Sequence, residues 1–164
     1  MTSTSFIQQL NLLPHPEGGY FREIYRNEKE VPGNLLSEQY SGNRNLATSI
    51  YFLLESGQVS KLHQLKSDEI WYYHTGSPLH VHIFSGKNYK KLTLGPDVEK
   101  NQKLQIIIPA GSIFGAEVIL QQSFTLMGCM VSPGFHFDDF RLVTGNELYS
   151  SFPEHKSIIK NLTS

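Results

Sequence analysis

His63 and Glu69 are the two residues of this 164-residue chain whose types and spacing best support chemistry. In an extended strand alternate side chains share a face. His63 and Leu65 therefore project together, and Glu69, Trp71 and Tyr73 project together on the strand that follows. A short turn at Ser67-Asp68 folds the second run back beside the first and, where His63 faces a cavity, brings Glu69 next to it. An imidazole and a carboxyl group among Leu65, Trp71 and Tyr73 make apolar walls with few polar groups, which suits a small organic ligand. The same pair suits proton transfer. Burial raises a carboxyl pKa and lowers an imidazole pKa, bringing both toward neutrality, while pairing opposes both shifts. The competing expectation is structural: a buried His63–Glu69 hydrogen bond that pins two strands together.

The elements that must position these groups are read from breakers and periodicity. Phe6, Ile7, Leu10 and Leu13 fall on one face at helical spacing, with Ser5 and Gln8 as a capping box, and Pro14 and Pro16 stop this first helix. Short β-prone runs follow at 20–26, 47–55, 59–65, 69–75, 79–84, 89–94, 104–109, 113–118, 124–131 and 135–140. Gly57, Gly76, Gly86 and Gly95 punctuate them at intervals near ten with no helical stretch between, which argues for antiparallel strands rather than βαβ units. Gly86-Lys87-Asn88 reads as a tight hairpin turn, 27–45 as a long loop and 97–103 as a shorter one. The chain end is helical again, with capping-box spacing from Thr144 to Glu147 and Pro153 opening a last helix through Ile158 and Ile159. The expected organisation is a single domain. Residues 1–19 form a helix and turn, 20–140 an all-β antiparallel barrel or jelly roll, whose closure removes exposed edges, and 141–164 a helical tail.

Other residues are weaker candidates than the central pair. His74 has the opposite parity to Glu69 and points away from the cavity. His80 and His82 alternate with Leu79, Val81 and Ile83, so one face there is apolar, and which face lines the cavity is left open. A structural, partly exposed role is expected for all three. Cys129, between Gly128 and Met130, reads as core. His15-Pro16-Glu17-Gly18-Gly19 reads as a rigid turn that seals one end of the barrel or makes a dimer contact, with Glu17 capping or pairing with Arg22 or Arg26. The alternative puts Glu17 and Tyr20 on the pocket rim. No Lys-Ser or Lys-Thr follows Gly18-Gly19, which excludes a phosphate loop. Lys87, Lys90 and Lys91 read as a solvated edge, and Asp138 and Asp139 as ordinary acids beside a turn at Pro133-Gly134-Phe135.

Composition narrows the partners. Fourteen basic against fifteen acidic residues give a net charge of −1, which lacks the basic footprint of a nucleic-acid binder. One cysteine excludes a disulfide framework and fits a reducing compartment. The N-terminus is polar and interrupted, unlike a signal peptide, and the longest apolar runs, 50–54 and 106–110, fall far short of the roughly 18 residues that span a bilayer. A cytoplasmic protein without membrane or nucleic-acid partners is expected.

The segment from Gly57 through His63, Leu65 and Glu69 to Gly76 resembles the first conserved motif of the cupin superfamily, a Gly followed by His-x-His, Glu and Gly. Pro109-Ala110-Gly111-Ser112-Ile113-Phe114 resembles the second. His15-Pro16-Glu17-Gly18-Gly19-Tyr20-Phe21, Ser67-Asp68-Glu69-Ile70-Trp71 and Val131-Ser132-Pro133-Gly134-Phe135 resemble the hallmarks of one uncharacterised single-cupin family, the first being the most specific. The resemblance implies a jelly-roll barrel, usually a homodimer, with a ligand cavity in its mouth. It supplies no activity, since one barrel hosts unrelated chemistries.

Metal-binding cupins offer three His and one Glu, ligands suited to Fe, Mn, Zn or Ni. Here Leu65 and Phe114 stand at two of those four positions and leave only His63 and Glu69, whereas even catalytic zinc keeps three protein ligands. No cofactor is therefore expected. Sugar-nucleotide epimerases of the superfamily set a His base opposite a Tyr, and Tyr51 and Tyr73 are the tyrosines best placed by parity. The expected function is small-molecule binding in a cavity lined by Tyr51, His63, Leu65, Glu69, Trp71, Tyr73 and Phe114. Metal-independent isomerisation or epimerisation of a sugar derivative is the expected reaction, with His63 as base and Glu69 orienting it. The alternatives are a non-catalytic binding or storage-like scaffold and a metal-dependent oxygenase or isomerase.

Overall fold

Alternating apolar and polar residues through the middle of the chain form antiparallel strands in the computed structural model, which describes residues 1–163. The elements run α1 (Ser3–Gln9), β1 (Leu13–Pro14), β2 (Tyr20–Arg26), β3 (Glu30–Val31), β4 (Arg44–Asn45), β5 (Thr48–Glu55), β6 (Val59–Leu65) and β7 (Asp68–Gly76). They continue with β8 (Leu79–Ser85), β9 (Asn88–Leu94), β10 (Gln105–Ile108), β11 (Ile113–Val118), β12 (Phe124–Ser132), β13 (Phe140–Leu142), α2 (Gly145–Tyr149) and α3 (Lys156–Asn161). Six strands in the order β1-β2-β5-β12-β7-β10 face five in the order β13-β6-β11-β8-β9, while β3 and β4 form a separate ribbon. The fold is the all-β antiparallel jelly roll with short terminal helices that the sequence implies.

Between the sheets lie Phe52, Leu54, Leu65, Trp71, Val81, Ile83, Phe114, Met127 and Cys129. The outer faces are covered as well. Phe6 and Ile7 of α1, with Leu10 just after it, pack on Leu53, Leu126 and Tyr51. Leu148, Phe152, Ile159 and Leu162 of the tail pack on Leu62 and Phe84. Two-sided cover explains why β5 buries Phe52, Leu53 and Leu54 in succession instead of alternating. Ile159 and Leu162 are fully buried, worth about 2 kcal/mol each in apolar burial, so the tail is part of the fold.

Several local expectations change. The cap of α1 is Thr2, whose side chain accepts from Ser5 N–H (3.2 Å), so the Ser5–Gln8 box does not start the helix. Asn11 turns the chain at φ 51°, which puts Leu13 in β1 and 65% exposed rather than on the helix. The Thr144 box forms as its spacing predicts, Thr144 N–H donating to Glu147 Oε1 (2.8 Å). Residues 135–140 are not a strand. His136 Nδ1 accepts Asp138 N–H (3.2 Å) and caps a 3-10 turn, Phe137–Asp139. β13 follows, pairing Phe140 with Leu65 and Leu142 with His63, so the sheet runs to Leu142.

Asp139 is not a simple turn-flanking acid. It is buried and forks onto Arg44, accepting from Nε (2.5 Å) and Nη2 (2.7 Å), with Lys66 Nζ 3.4 Å away. This ion pair ties the 27–45 excursion to the turn before β13. Among the described residues no helix is long and apolar enough to cross a membrane.

Candidate acid–base cavity

Strand β6 presents His63 to the interior at 1% exposure, where its ring meets Phe114 across the β6–β11 pair (centroids 4.0 Å apart). Nδ1 lies 2.6 Å from Lys61 O, and because a carbonyl only accepts, Nδ1 carries the proton. Nε2 is then turned to the second partner. That partner is Glu17, not Glu69: Nε2 stands 3.2 Å from Glu17 Oε2.

Glu17 reaches this position through the turn that precedes β2. His15 N–H bonds Gly19 O and Gly18 N–H bonds His15 O, each at 3.0 Å, and Lys61 N–H ties Glu17 O to β6 (2.7 Å). Gly18 has φ +112°, and a Cβ there would stand 2.1 Å from Val59 O, so only glycine lets the turn press this closely on β6. Ser60 Oγ donates to Glu17 Oε1 (2.8 Å). His15 Nδ1 accepts Glu17 N–H (3.3 Å) and lies 3.5 Å from Oε2, while its ring stands edge-on to Phe21.

A bare Nε2 lone pair facing a carboxylate would repel it, so Glu17 and His63 hold one proton between them. Burial raises Glu17, with the nearby His15 and the Ser60 hydrogen bond opposing, and burial lowers His63, with Glu69 opposing. Both directions place that proton on Glu17. Burial also lowers His15, which stays neutral.

Glu69 opens β7, in register with Val131 of β12 and Ile108 of β10. It is 7% exposed and makes no hydrogen bond to His63, and among the described residues Oε2, itself closed to solvent, has no well-formed hydrogen bond. Burial pushes its carboxyl up to about 7. His63 opposes the shift, Glu17 adds to it, and Trp71 and Cys129 lie alongside without a well-formed hydrogen bond to Oε2. The Cys129 thiol is pushed well up by burial and by both carboxyl groups, so it is no thiolate.

These groups line one end of a cavity of about 280 Å3. Its walls are Phe21, Ile50, Phe52, Leu65, Val131, Phe135 and Phe140, and Phe137, 58% exposed, stands at the mouth. A bulge in β2 at Ile24 turns Arg26 onto the face of Glu23. Arg26 is fully engaged there, on both Glu23 oxygens (2.9 and 2.7 Å), Asn45 Oδ1 (2.7 Å) and Phe135 O (3.3 Å).

Of the residues expected to line the site, His63, Leu65 and Glu69 do. Trp71 and Phe114 lie one layer behind, packed in the core. Tyr51 does not face the cavity: it lies on the outer face of β5 against α1, edge-on to His74. Tyr73 is spent elsewhere, its hydroxyl donating to Gly76 O (2.6 Å). Tyr20 also packs on the outer face with α1, whereas Glu17 is inside rather than sealing an end or pairing with Arg22 or Arg26. His80 and His82 occupy the outer face of β8. His82 Nδ1 meets Tyr89 OH (2.8 Å) and burial pushes the ring down to about 4.

The fold family's divalent metal does not fit this donor set. Both His63 nitrogens are committed, Leu65 and Phe114 bear no donor, and among the described residues no group of three or more His, Cys, Asp or Glu side chains is arranged to hold an ion.

A family model described as Cupin superfamily (DUF985) matches residues 4–143. The uncharacterized protein YML079W of Saccharomyces cerevisiae is 30% identical over 163 residues, covering 87% of this chain and 78% of that protein. A hypothetical protein from Leishmania major superposes with a TM-score of 0.90 at 35% identity and covers 99% of both chains. Protein SO0799 from Shewanella oneidensis gives 0.88 at 38% identity, covering 100% of this chain and 98% of that one.

Proposed function

The chain belongs to the DUF985 family of the cupin superfamily, and from that premise we propose that its barrel binds a small organic molecule and exchanges a proton with it. One observation carries the reading: a buried carboxyl group, Glu69, lines a largely apolar cavity that opens to solvent and makes no hydrogen bond to His63 there. Burying a carboxyl group costs free energy, and a ligand group that pairs with it offsets that cost. The open mouth and the turning of His63 to Glu17 support binding over a storage-like scaffold, for which a closed barrel with a His63–Glu69 bond is expected.

In the acid–base chemistry Glu69 is the group that exchanges the proton with the ligand. The two nitrogens of His63 are taken by Lys61 O and Glu17, so His63 is a positioning residue beside Glu69 rather than the base. Glu69 ionises near neutrality, as a group that takes and returns a proton at working pH must. The reaction class this supports is metal-independent isomerisation or epimerisation beside a carbonyl.

Native mass spectrometry of protein taken from cells tests the reading. The wild type carries an extra small-molecule mass, and a cavity-filling Ile50→Trp variant with an unchanged thermal melt does not. Returned to the protein in D2O, the released compound gains deuterium with the wild type and not with Glu69→Gln. A wild type that carries no more mass than Ile50→Trp sinks the binding reading, and equal exchange in Glu69→Gln sinks the role of Glu69.

A further inference from the structure

Resting on that reading, we propose that the ligand is a small organic cation, a protonated amine on an apolar body, with the ammonium held by Glu69 and the body by the surrounding phenylalanines. The argument begins with the charges that line the cavity. Three carboxyl groups face it, Glu17, Glu23 and Glu69, against one guanidinium, Arg26. Arg26 has no capacity left, since its nitrogens are shared among Glu23, Asn45 and Phe135 O. His63 and His15 do not supply positive charge at the closed end: each has a nitrogen committed to backbone, and burial keeps both rings neutral. His136 stands at the rim with its Nδ1 turned to Asp138.

An anionic head, such as the phosphate of a sugar nucleotide, would therefore enter a low-dielectric site beside Glu69, which is ionised at pH 8, with no free cation among the described lining residues. That is the costly arrangement for a buried charge. A cationic head meets the reverse. Its N–H groups donate to the Glu69 carboxylate, which lines the cavity and is 7% exposed. Phe21, Phe52, Phe135, Phe137 and Phe140 line the same cavity, and aromatic rings attract an ammonium as well as burying the carbon skeleton. Carboxylates and an aromatic lining thus select the same sign of charge independently.

A charge series of near-isosteric probes tests this: 2-phenylethylamine, 2-phenylethanol and phenylacetate, each titrated calorimetrically into wild type and Glu69→Gln at pH 8. The amine binds the wild type at least about tenfold more tightly than the alcohol, and phenylacetate gives no measurable heat. In Glu69→Gln the amine loses that advantage. If the alcohol or phenylacetate matches the amine, the cation class is wrong while small-molecule binding stands. If the amine keeps its advantage in Glu69→Gln, Glu69 does not hold it and the assignment falls. If none of the three binds, the proposal falls together with the reading it rests on.

Discussion

Asp139→Ala lowers the thermal midpoint by about 10 °C, the largest loss expected from a single side chain here. Arg44 is 3% exposed, and Asp139 is its carboxylate partner among the described residues, engaged through two nitrogens, while Nη1 is used on Gly42 O and Asn43 O. Removing the acid strands a guanidinium in the interior. Breaking one side of a buried ion pair costs about 3–5 kcal/mol, and a chain of this size loses about 2–4 °C per kcal/mol. The double change Arg44→Met with Asp139→Leu removes both charges and recovers most of the loss, because it deletes the desolvation penalty along with the attraction. Calorimetry of both variants is decisive. A melt of Asp139→Ala within about 2 °C of wild type would mean that Arg44 finds water instead. The same variant reports on the cavity, because Asp139 anchors the turn carrying Phe137 and leads into Phe140.

Glu69→Gln moves stability the other way, and only above acid pH. Folded Glu69 titrates near 7, against an ordinary value of 4.5. Between those values the folded chain binds a proton that the unfolded chain has released. Stability therefore falls as pH rises through this window and stays lowered above it. The shift corresponds to about 3 kcal/mol once the group is ionised. Glutamine resembles the neutral acid and carries no such cost. Urea unfolding at pH 5 shows wild type and variant close together, and at pH 8 the variant is more stable by up to about 3 kcal/mol. Equal gaps at the two pH values would mean that Glu69 does not titrate in this range. A site whose ligand-facing carboxyl destabilises the empty protein at neutral pH is one in which function has outweighed stability.

How much of this was legible in the sequence follows from range. His63 and Leu65 lie on β6 and Glu69 on β7, strands consecutive in sequence but in opposite sheets, so period-two alternation gives which side chains turn inward. The Ser67-Asp68 turn crosses between sheets instead of making the expected hairpin and sets the two inner faces opposite one another. Glu17 approaches from a turn more than forty residues upstream, as its bond to Ser60 shows, and parity carries no information across that separation. A Gly-Gly pair after an acid signalled close backbone approach but not what it approaches. Tyr51 was misplaced because 50–54 is buried on both faces: Ile50 and Phe52 line the cavity while Tyr51 serves the surface under α1. Tyr73 keeps the inward face but lies beside a bulge, where β12 shifts register between Leu126 and Met127, and its hydroxyl is consumed locally. Asp139 looked like an ordinary surface acid because its partner, Arg44, sits inside a polar loop that gives no core signal.

The helices that shield both sheets have a consequence for measurement. Strands β5 and β12 are flanked on each side within their sheet and sealed above and below, so their amide hydrogens exchange with solvent only when the whole molecule opens. The segment from Phe135 to Phe140 is irregular and borders solvent, so its amides exchange through local excursions. Isotope labelling thus yields two clocks from one protein, a slow one that reads global free energy and a fast one whose slowing registers an occupant at the mouth.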